Sequence, residues 1–164
     1  MKTGIFYGST TGTTAELARD IAKEMGVADA DVHDVASTAP ARLGDYDFII
    51  LGSSTWGDGD LQEDWYDFVD GAQALDLDGK KIAIFGCGDE TMSDTFCNAM
   101  GIIYDKLKDS GAVFVGEYDA NGYTFDHSEA AHGKLMRGLV VDQVNHPEWT
   151  ARRVKAWTDI LKKS

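Results

Sequence analysis

The sequence predicts an α/β fold, a doubly wound parallel sheet with helices on both faces, and three observations predict it. Short apolar runs recur along the 164 residues and are continuous rather than alternating, as strands buried on both faces must be. Segments with helical apolar spacing lie between these runs, so strand and helix alternate as in βαβ units. Loops rich in glycine, hydroxyl and acidic residues follow several of the runs, at the sheet edge where such folds hold ligands.

The elements follow in chain order. Ile5-Phe6-Tyr7 is the first strand. "GSTTGTT", residues 8–14, comes next, with five hydroxyl side chains in seven residues, and a helix begins near Thr13 on whose face Ala18, Ile21, Ala22 and Met25 align. Residues 32–35 are shorter and more polar, which suits an edge strand. Phe48-Ile49-Ile50-Leu51 is the third strand, followed by the loop "SSTWGDGDLQEDW" over residues 53–65. Ile82-Ala83-Ile84-Phe85 is the fourth, followed by "GCGDETMSDTF" over residues 86–96 and a helical face of Phe96, Met100, Ile103 and Leu107. Val113-Phe114-Val115 and Leu139-Val140-Val141 are the last strand-like runs. The polar, glycine- and aromatic-rich residues 117–138 separate them as an insertion would. Val154, Trp157 and Leu161 share the face of a final helix, with Thr150 its expected N-cap. No repeat or linker interrupts this pattern, and one domain over residues 1–164 is expected.

Composition narrows the function. Lysine and arginine number 15 against 28 aspartates and glutamates, a formal charge of -13. That balance disfavours nucleic acid and anionic membrane surfaces and favours basic protein partners. Two cysteines, Cys87 and Cys97, make neither a disulfide framework nor a zinc site, so reduced thiols in a cytoplasmic protein, and no metal, are expected. No signal peptide or long apolar run stands out, so no membrane segment is expected. His33, His127, His132 and His146 are scattered and read as surface residues.

The loops carry the chemistry. A helix starting near Thr13 points its free N–H groups and positive dipole end at the hydroxyls of Ser9, Thr10, Thr11 and Thr14, which suits a phosphate. The loop holds no lysine, and neither G-x-x-x-x-G-K-[ST] nor a G-x-G-x-x-G after the first strand is present, so a terminal monophosphate fits better than a triphosphate or a dinucleotide pyrophosphate. Trp56, set among glycines and acids, is expected against a ligand. Gly86 and Gly88 permit close backbone approach.

Together these loops resemble those of the flavodoxins. Ser9-x-Thr11-Gly12-x-Thr14 matches that family's phosphate loop, Ser54-Thr55-Trp56-Gly57-Asp58 its first flavin-flanking loop, and Gly86-x-Gly88-Asp89 the head of its second. The insertion is similar to the segment that splits the last strand of long-chain flavodoxins, and the likeness runs from residue 2 to about 161. It implies a flavodoxin-like five-stranded parallel sheet in the order 2-1-3-4-5 with a split last strand, and one non-covalent FMN. It also implies a low-potential one-electron carrier, not an enzyme, that shuttles between semiquinone and hydroquinone and serves acceptor oxidoreductases. The implied cofactor contacts are Ser9, Thr10, Thr11, Gly12, Thr13 and Thr14 at the phosphate. On one side of the flavin they are Ser54, Thr55, Trp56, Gly57, Asp58 and Gly59, and on the other Cys87, Gly88, Asp89, Met92 and Phe96. Met92 stands where the family usually stacks a tyrosine, and the peptide from Gly57 to Asp58 resembles the bond that turns over when FMN gains its first electron. Partners implied are basic redox proteins such as ferredoxin-NADP reductase or a pyruvate or nitrogenase-type oxidoreductase, met by a monomer.

Charge supports a low potential. Asp58, Asp60, Glu63, Asp64, Asp89 and Glu90 lie on the two flanking loops. One carboxylate about 10 Å away at an effective dielectric of about 40 costs an added negative charge roughly 0.8 kcal/mol, about 35 mV for one electron. Three alternatives from other classes stay in view. An FMN-dependent NAD(P)H:quinone reductase needs a nicotinamide cleft that a stacked Trp56 would close. A flavoprotein activator of a ribonucleotide reductase is disfavoured by the long insertion and the acidic balance. A receiver domain needs an aspartate at the end of the third strand, where Leu51-Gly52-Ser53 stand.

Overall fold

Nine residues, Phe48–Trp56, form the strand at the centre of the sheet, β3. The computed structural model describes residues 1–56, 60–92, 94–119, 122–133 and 135–164. The other strands are β1 (Thr3–Gly8), β2 (Val32–Asp34), β4 (Asp60–Leu61), β5 (Lys81–Cys87), β6 (Val113–Phe114), β7 (Ala131–His132), β8 (Leu135–Met136) and β9 (Leu139–Val141). β1 and β5 flank β3 in parallel, with Ile50 opposite Ile5 on one side and Ala83 on the other. The sheet runs β2-β1-β3-β5-β6, and the short β4 returns antiparallel on the end of β3.

The outer strand is split, as expected. β6 pairs with Lys81 and Ile82 at the start of β5, whereas β9 pairs with Phe85, Gly86 and Cys87 at its end. Between them lies a small antiparallel hairpin of β7 and β8, with a bridge from Tyr118 to Met136. Counted as one broken strand, β6 and β9 complete the order 2-1-3-4-5.

Among the described residues four α-helices cover the faces: α1 (Thr13–Met25), α2 (Trp65–Gln73), α3 (Asn98–Leu107) and α4 (Thr150–Lys162). Successive strand residues point to opposite sides of the pleat, so each apolar run feeds two cores. Ile5, Ile50, Phe85 and Val141 pack under α1 and α4, with Ile21, Val154 and Trp157. Phe6, Leu51, Ile82 and Ile84 pack on the opposite face under α2 and α3, with Trp65, Phe68, Met100 and Ile103. The continuous rather than alternating pattern is the record of those two buried faces.

Two local expectations are corrected. Thr150 is the first helical residue of α4, not its N-cap. A 3₁₀ turn over Pro147–Trp149 runs straight into the helix, Thr150 already has helical angles (φ -62°, ψ -50°), and its hydroxyl donates to Gln143 Oε1. Phe96 does not lie on α3. Cys97, in a left-handed conformation (φ 53°), breaks the chain just before the helix. Phe96 is instead sealed in the core, 1 % exposed, with its ring 5.0 Å from Phe125 and 5.4 Å from Tyr123.

Candidate functional site

Apart from the short β4, the strands of the main sheet are parallel, so the ends of β1, β3, β5 and β9 open on one edge. From β1 the chain passes to β2 on one side, and later enters β3 on the other. The crevice between β1 and β3 is therefore the switch point of the winding, where ligands bind in open α/β sheets.

The loop after β1 delivers the start of α1 to that crevice. Gly12 precedes the helix with φ 91°, a conformation open to glycine and costly for other residues, and no side chain caps the first turn. The backbone N–H of Gly12 donates to Ser9 Oγ (3.1 Å), and the Thr11 and Thr13 hydroxyl oxygens lie 3.5 Å apart. The first-turn N–H groups and the positive end of the helix thus face a ring of hydroxyls with no cation nearby in sequence, a fitting cradle for an anion.

A cavity of about 270 Å³ lies beside this loop, lined by Thr11, Thr13, Ser54, Thr55, Cys87, Gly88, Asp89, Gln143 and Val144. Seven of the expected contacts, namely all of these but Gln143 and Val144, therefore share one wall system. Ser9, Thr10 and Gly12 stand on the adjoining turn. Thr14 is 1 % exposed, and its hydroxyl bonds the Cys87 thiol, pinning α1 to β5. Met92 is 47 % exposed. Phe96 is in the core and is not among the lining residues, but its ring lies behind Gly88, where a Cβ would come within 3.3 Å of its Cδ1. The Trp56 side chain, Gly57, Asp58 and Gly59 lie outside the described residues. A second cavity of about 360 Å³, lined by Thr10, Asp60, Leu61, Glu63 and Tyr66, presents two carboxylates, which repel a phosphate.

Three residues absent from the sequence expectations organise the walls. Asp142, fully buried at the end of β9, accepts from Glu90 N (2.9 Å) and Asn145 Nδ2 (2.8 Å) with one oxygen. The other accepts from Val144 N (3.0 Å) and Asn145 N (2.8 Å). Asn145 Nδ2 also reaches Asp89 Oδ1 (2.7 Å), and Gly88 N donates to Val141 O (2.9 Å). These bonds tie the two walls, residues 88–90 and 142–145, into one unit. On the other side Gln62, 1 % exposed, donates to Thr10 Oγ1 (3.0 Å) and Asp64 Oδ2 (2.8 Å) and accepts from Asp64 N (3.0 Å). It fixes the hydroxyl loop to the start of α2. Thr55 Oγ1 accepts from Ala99 N (3.1 Å) and so anchors the end of β3 to the first turn of α3.

The electrostatics are one-sided. The Asp89 carboxyl, hydrogen-bonded by the Thr91 hydroxyl and backbone and by Asn145, is held below the ordinary carboxylate range despite partial desolvation, so it stays negative beside the cavity. Burial pushes the Cys87 thiol up to about 11, against the pull of the Thr14 hydroxyl, and pushes Cys97 well above its usual value. A thiol needs its thiolate to react. Ellman's reagent at pH 8 is accordingly expected to label neither cysteine in the folded protein and both after denaturation, and prompt labelling of the native state would contradict this burial. Among the described residues no group of three or more histidine, cysteine, aspartate or glutamate side chains is arranged to hold a metal. No helix there is long and apolar enough to cross a membrane.

Comparison with known proteins agrees with this geometry. The family model described as Flavodoxin matches residues 5–157. Flavodoxin 1 of Salmonella typhimurium is 43% identical over 157 residues, 94% of this chain and 89% of that protein. The flavodoxin of Synechococcus elongatus is 39% identical over 163 residues, 98% of this chain and 96% of its own. Among solved structures, Fusobacterium nucleatum flavodoxin bound to flavin mononucleotide superposes with a TM-score of 0.90 at 25% identity, covering 99% of this chain and 98% of that one. Oxidised flavodoxin 2 of Bacillus cereus gives 0.78 at 30%, covering 99% of each. Likeness of this degree, running from β1 into α4 on a superposable fold, means that the chain belongs to the flavodoxin family.

Proposed function

We propose that this protein is a low-potential one-electron carrier that holds one FMN non-covalently in the crevice between β1 and β3. The start of α1 carries the reading: an uncapped helix end, facing hydroxyls and no cation, binds a phosphate while leaving its charge in place. When bound, FMN supplies the redox chemistry, since it takes up and releases electrons singly. The chain's own residues bind, orient and set the field. Ser9, Thr10, Thr11, Gly12, Thr13 and Thr14 form the phosphate loop. Ser54 and Thr55 belong to the first flanking wall, for which the family resemblance also offers Trp56, Gly57, Asp58 and Gly59 as contacts, and Cys87, Gly88, Asp89 and Met92 belong to the second, with Phe96 behind Gly88. Asp89, kept negative at the cavity, opposes each further negative charge there and so lowers the potential at which the last electron enters. No nucleophile or general base is required, as befits an electron-transfer protein rather than an enzyme.

The net charge of -13 and the exposed Asp60, Glu63 and Asp94 favour basic redox partners: ferredoxin-NADP reductase, or a pyruvate or nitrogenase-type oxidoreductase. The working form is a cytoplasmic monomer of one domain. Two measurements test the reading. Titrated with FMN, the purified protein is expected to bind one equivalent and then to be reduced in two separate one-electron steps. Steady NADPH consumption with no partner would mark a reductase instead. Its reduction by ferredoxin-NADP reductase is expected to slow several-fold as ionic strength rises from low to a few hundred millimolar, because screening removes the steering of opposite charges. A rate flat with salt would remove the acidic face from the docking scheme.

A further inference from the structure

We propose that His146 is a positioning residue for the cofactor cavity, acting through Glu90 to lock the wall formed by residues 88–90 against the turn that follows β9. The inference rests on the reading that this cavity holds FMN.

Glu90 is where three segments meet. Its Oε2 accepts from Thr124 N in the insertion (2.7 Å), its Oε1 is bonded to His146 Nε2, and its backbone N–H donates to Asp142. Both partners are largely shielded, the His146 side chain 21% and the Glu90 side chain 16% exposed. The imidazole is stacked flat on Trp149, with ring centroids 3.7 Å apart and planes 3° from parallel, and Tyr123 lies 5.7 Å away. Such a ring cannot swing aside without losing its stack. Neither His146 nor Glu90 lines the cavity, yet each sits next to residues that do: Gly88 and Asp89 before Glu90, Gln143 and Val144 before His146. The pair therefore bolts the two walls together from behind.

The charges around the ring favour the imidazolium. Glu90 faces it from the loop after β5, Asp142 from the end of β9, and Glu148 from its own turn, with Oε1 3.6 Å from Nδ1. Opposing them, the Arg153 guanidinium of α4 lies over the Tyr123 and Trp149 rings, and Tyr123 is held in its neutral form. Burial works against the charged ring, but the hydrogen bond and charge of Glu90, helped by Glu148 and Asp142, outweigh it and hold His146 above its ordinary value. A charge-assisted bond is about twice as strong as a neutral one. The lock is thus closed at low pH and weakens as pH climbs through the His146 titration, above about 6.5. Deprotonation leaves Glu90, Glu148 and Asp142 facing one another without a cation on the ring between them.

The test compares the parent with His146→Gln, which keeps a donor and removes the titration. By flavin fluorescence, the FMN dissociation constant of the parent is expected to rise about five-fold between pH 6.5 and 9, a typical coupling between linked sites. His146→Gln is expected to bind more weakly and to stay flat over that range. The second ionisation of the FMN phosphate near pH 6 acts on both proteins, so the difference between the profiles is what counts. Reciprocity requires FMN to raise the His146 pKa by the logarithm of the same factor. In the apoprotein, the Thr124 amide proton is expected to follow the His146 midpoint by NMR and to stop doing so in His146→Gln. Parallel binding profiles, or a Thr124 amide blind to the His146 titration, would overturn the proposal. A parent that binds no FMN at any pH would remove the cofactor reading, while the Thr124 amide would still decide the lock.

Discussion

Asp142→Ala is expected to cost about 3 to 5 kcal/mol of stability and to abolish tight FMN binding. The carboxylate is fully buried and accepts four hydrogen bonds, three of them from backbone N–H groups of Glu90, Val144 and Asn145. Alanine leaves those donors without their acceptor, and a buried unsatisfied donor costs about 1 to 3 kcal/mol. Water entering the space left behind offsets part of the sum, which sets the lower figure. Asp142→Asn is the informative companion. One of its two side-chain heads is an NH₂ group, so either Glu90 N and Asn145 Nδ2, or Val144 N and Asn145 N, meet a donor. About half the loss is expected. Urea unfolding of the apoprotein measures the first effect and FMN titration the second. A loss below about 1 kcal/mol with the parent's affinity would mean that the two walls do not depend on this group.

The parts of the molecule that were legible in the sequence are those decided by local composition. Continuous apolar runs identify β1, β3 and β5 because burial on both faces removes alternation, and the hydroxyl-rich turn before α1 stands out because five such side chains in seven residues are unusual. The order of the strands is not a local property, and only the resemblance of the loops implied it. Asp142 could not be read in advance for the same reason. It sits 52 residues from the Glu90 amide it holds, in a stretch, "DQVN", that is an ordinary turn by composition. Gln62 is inconspicuous inside a loop dominated by acids, although its burial is nearly complete. α2 was also hidden: Trp65, Phe68, Val69 and Ala72 are buried at helical spacing, but the helix opens directly out of that acidic loop. By sequence His146 reads as a scattered surface histidine, whereas it is clamped between an indole and a carboxylate. Phe96 illustrates the opposite error. Its apolar spacing continues that of Met100 and Ile103, and nothing in the pattern signals the left-handed Cys97 that ends the continuity.

Gly138→Ala is expected to destabilise the protein by about 3 kcal/mol and to damage the cavity from a residue that does not line it. Gly138 stands where the chain returns from the insertion to begin β9. A Cβ there would lie 1.7 Å from the Ile84 carbonyl oxygen and 3.2 Å from Met100 Cε. The methionine end is flexible, but the carbonyl is not. Ile84 is opposite Leu51 in the β3 and β5 ladder at the middle of the sheet, so the backbone that must give way is that of β9. Overpacking costs about 1 to 3 kcal/mol, and more where backbone has to move. As β9 backs away it takes Val141 O from Gly88 N and draws Asp142 from Glu90, so FMN binding is expected to weaken at least about tenfold, equivalent to 1.4 kcal/mol. Amide exchange locates the damage: Gly88 and Glu90 should lose protection while the β1 and β3 amides keep theirs. Gly44→Ala is the control, since a Cβ at Gly44 meets nothing within 4 Å, and its effect should stay within about 0.5 kcal/mol. If alanine at 138 proves as harmless as alanine at 44, β9 can shift around a methyl group without disturbing the cavity, and the split strand is not what positions residues 141–144.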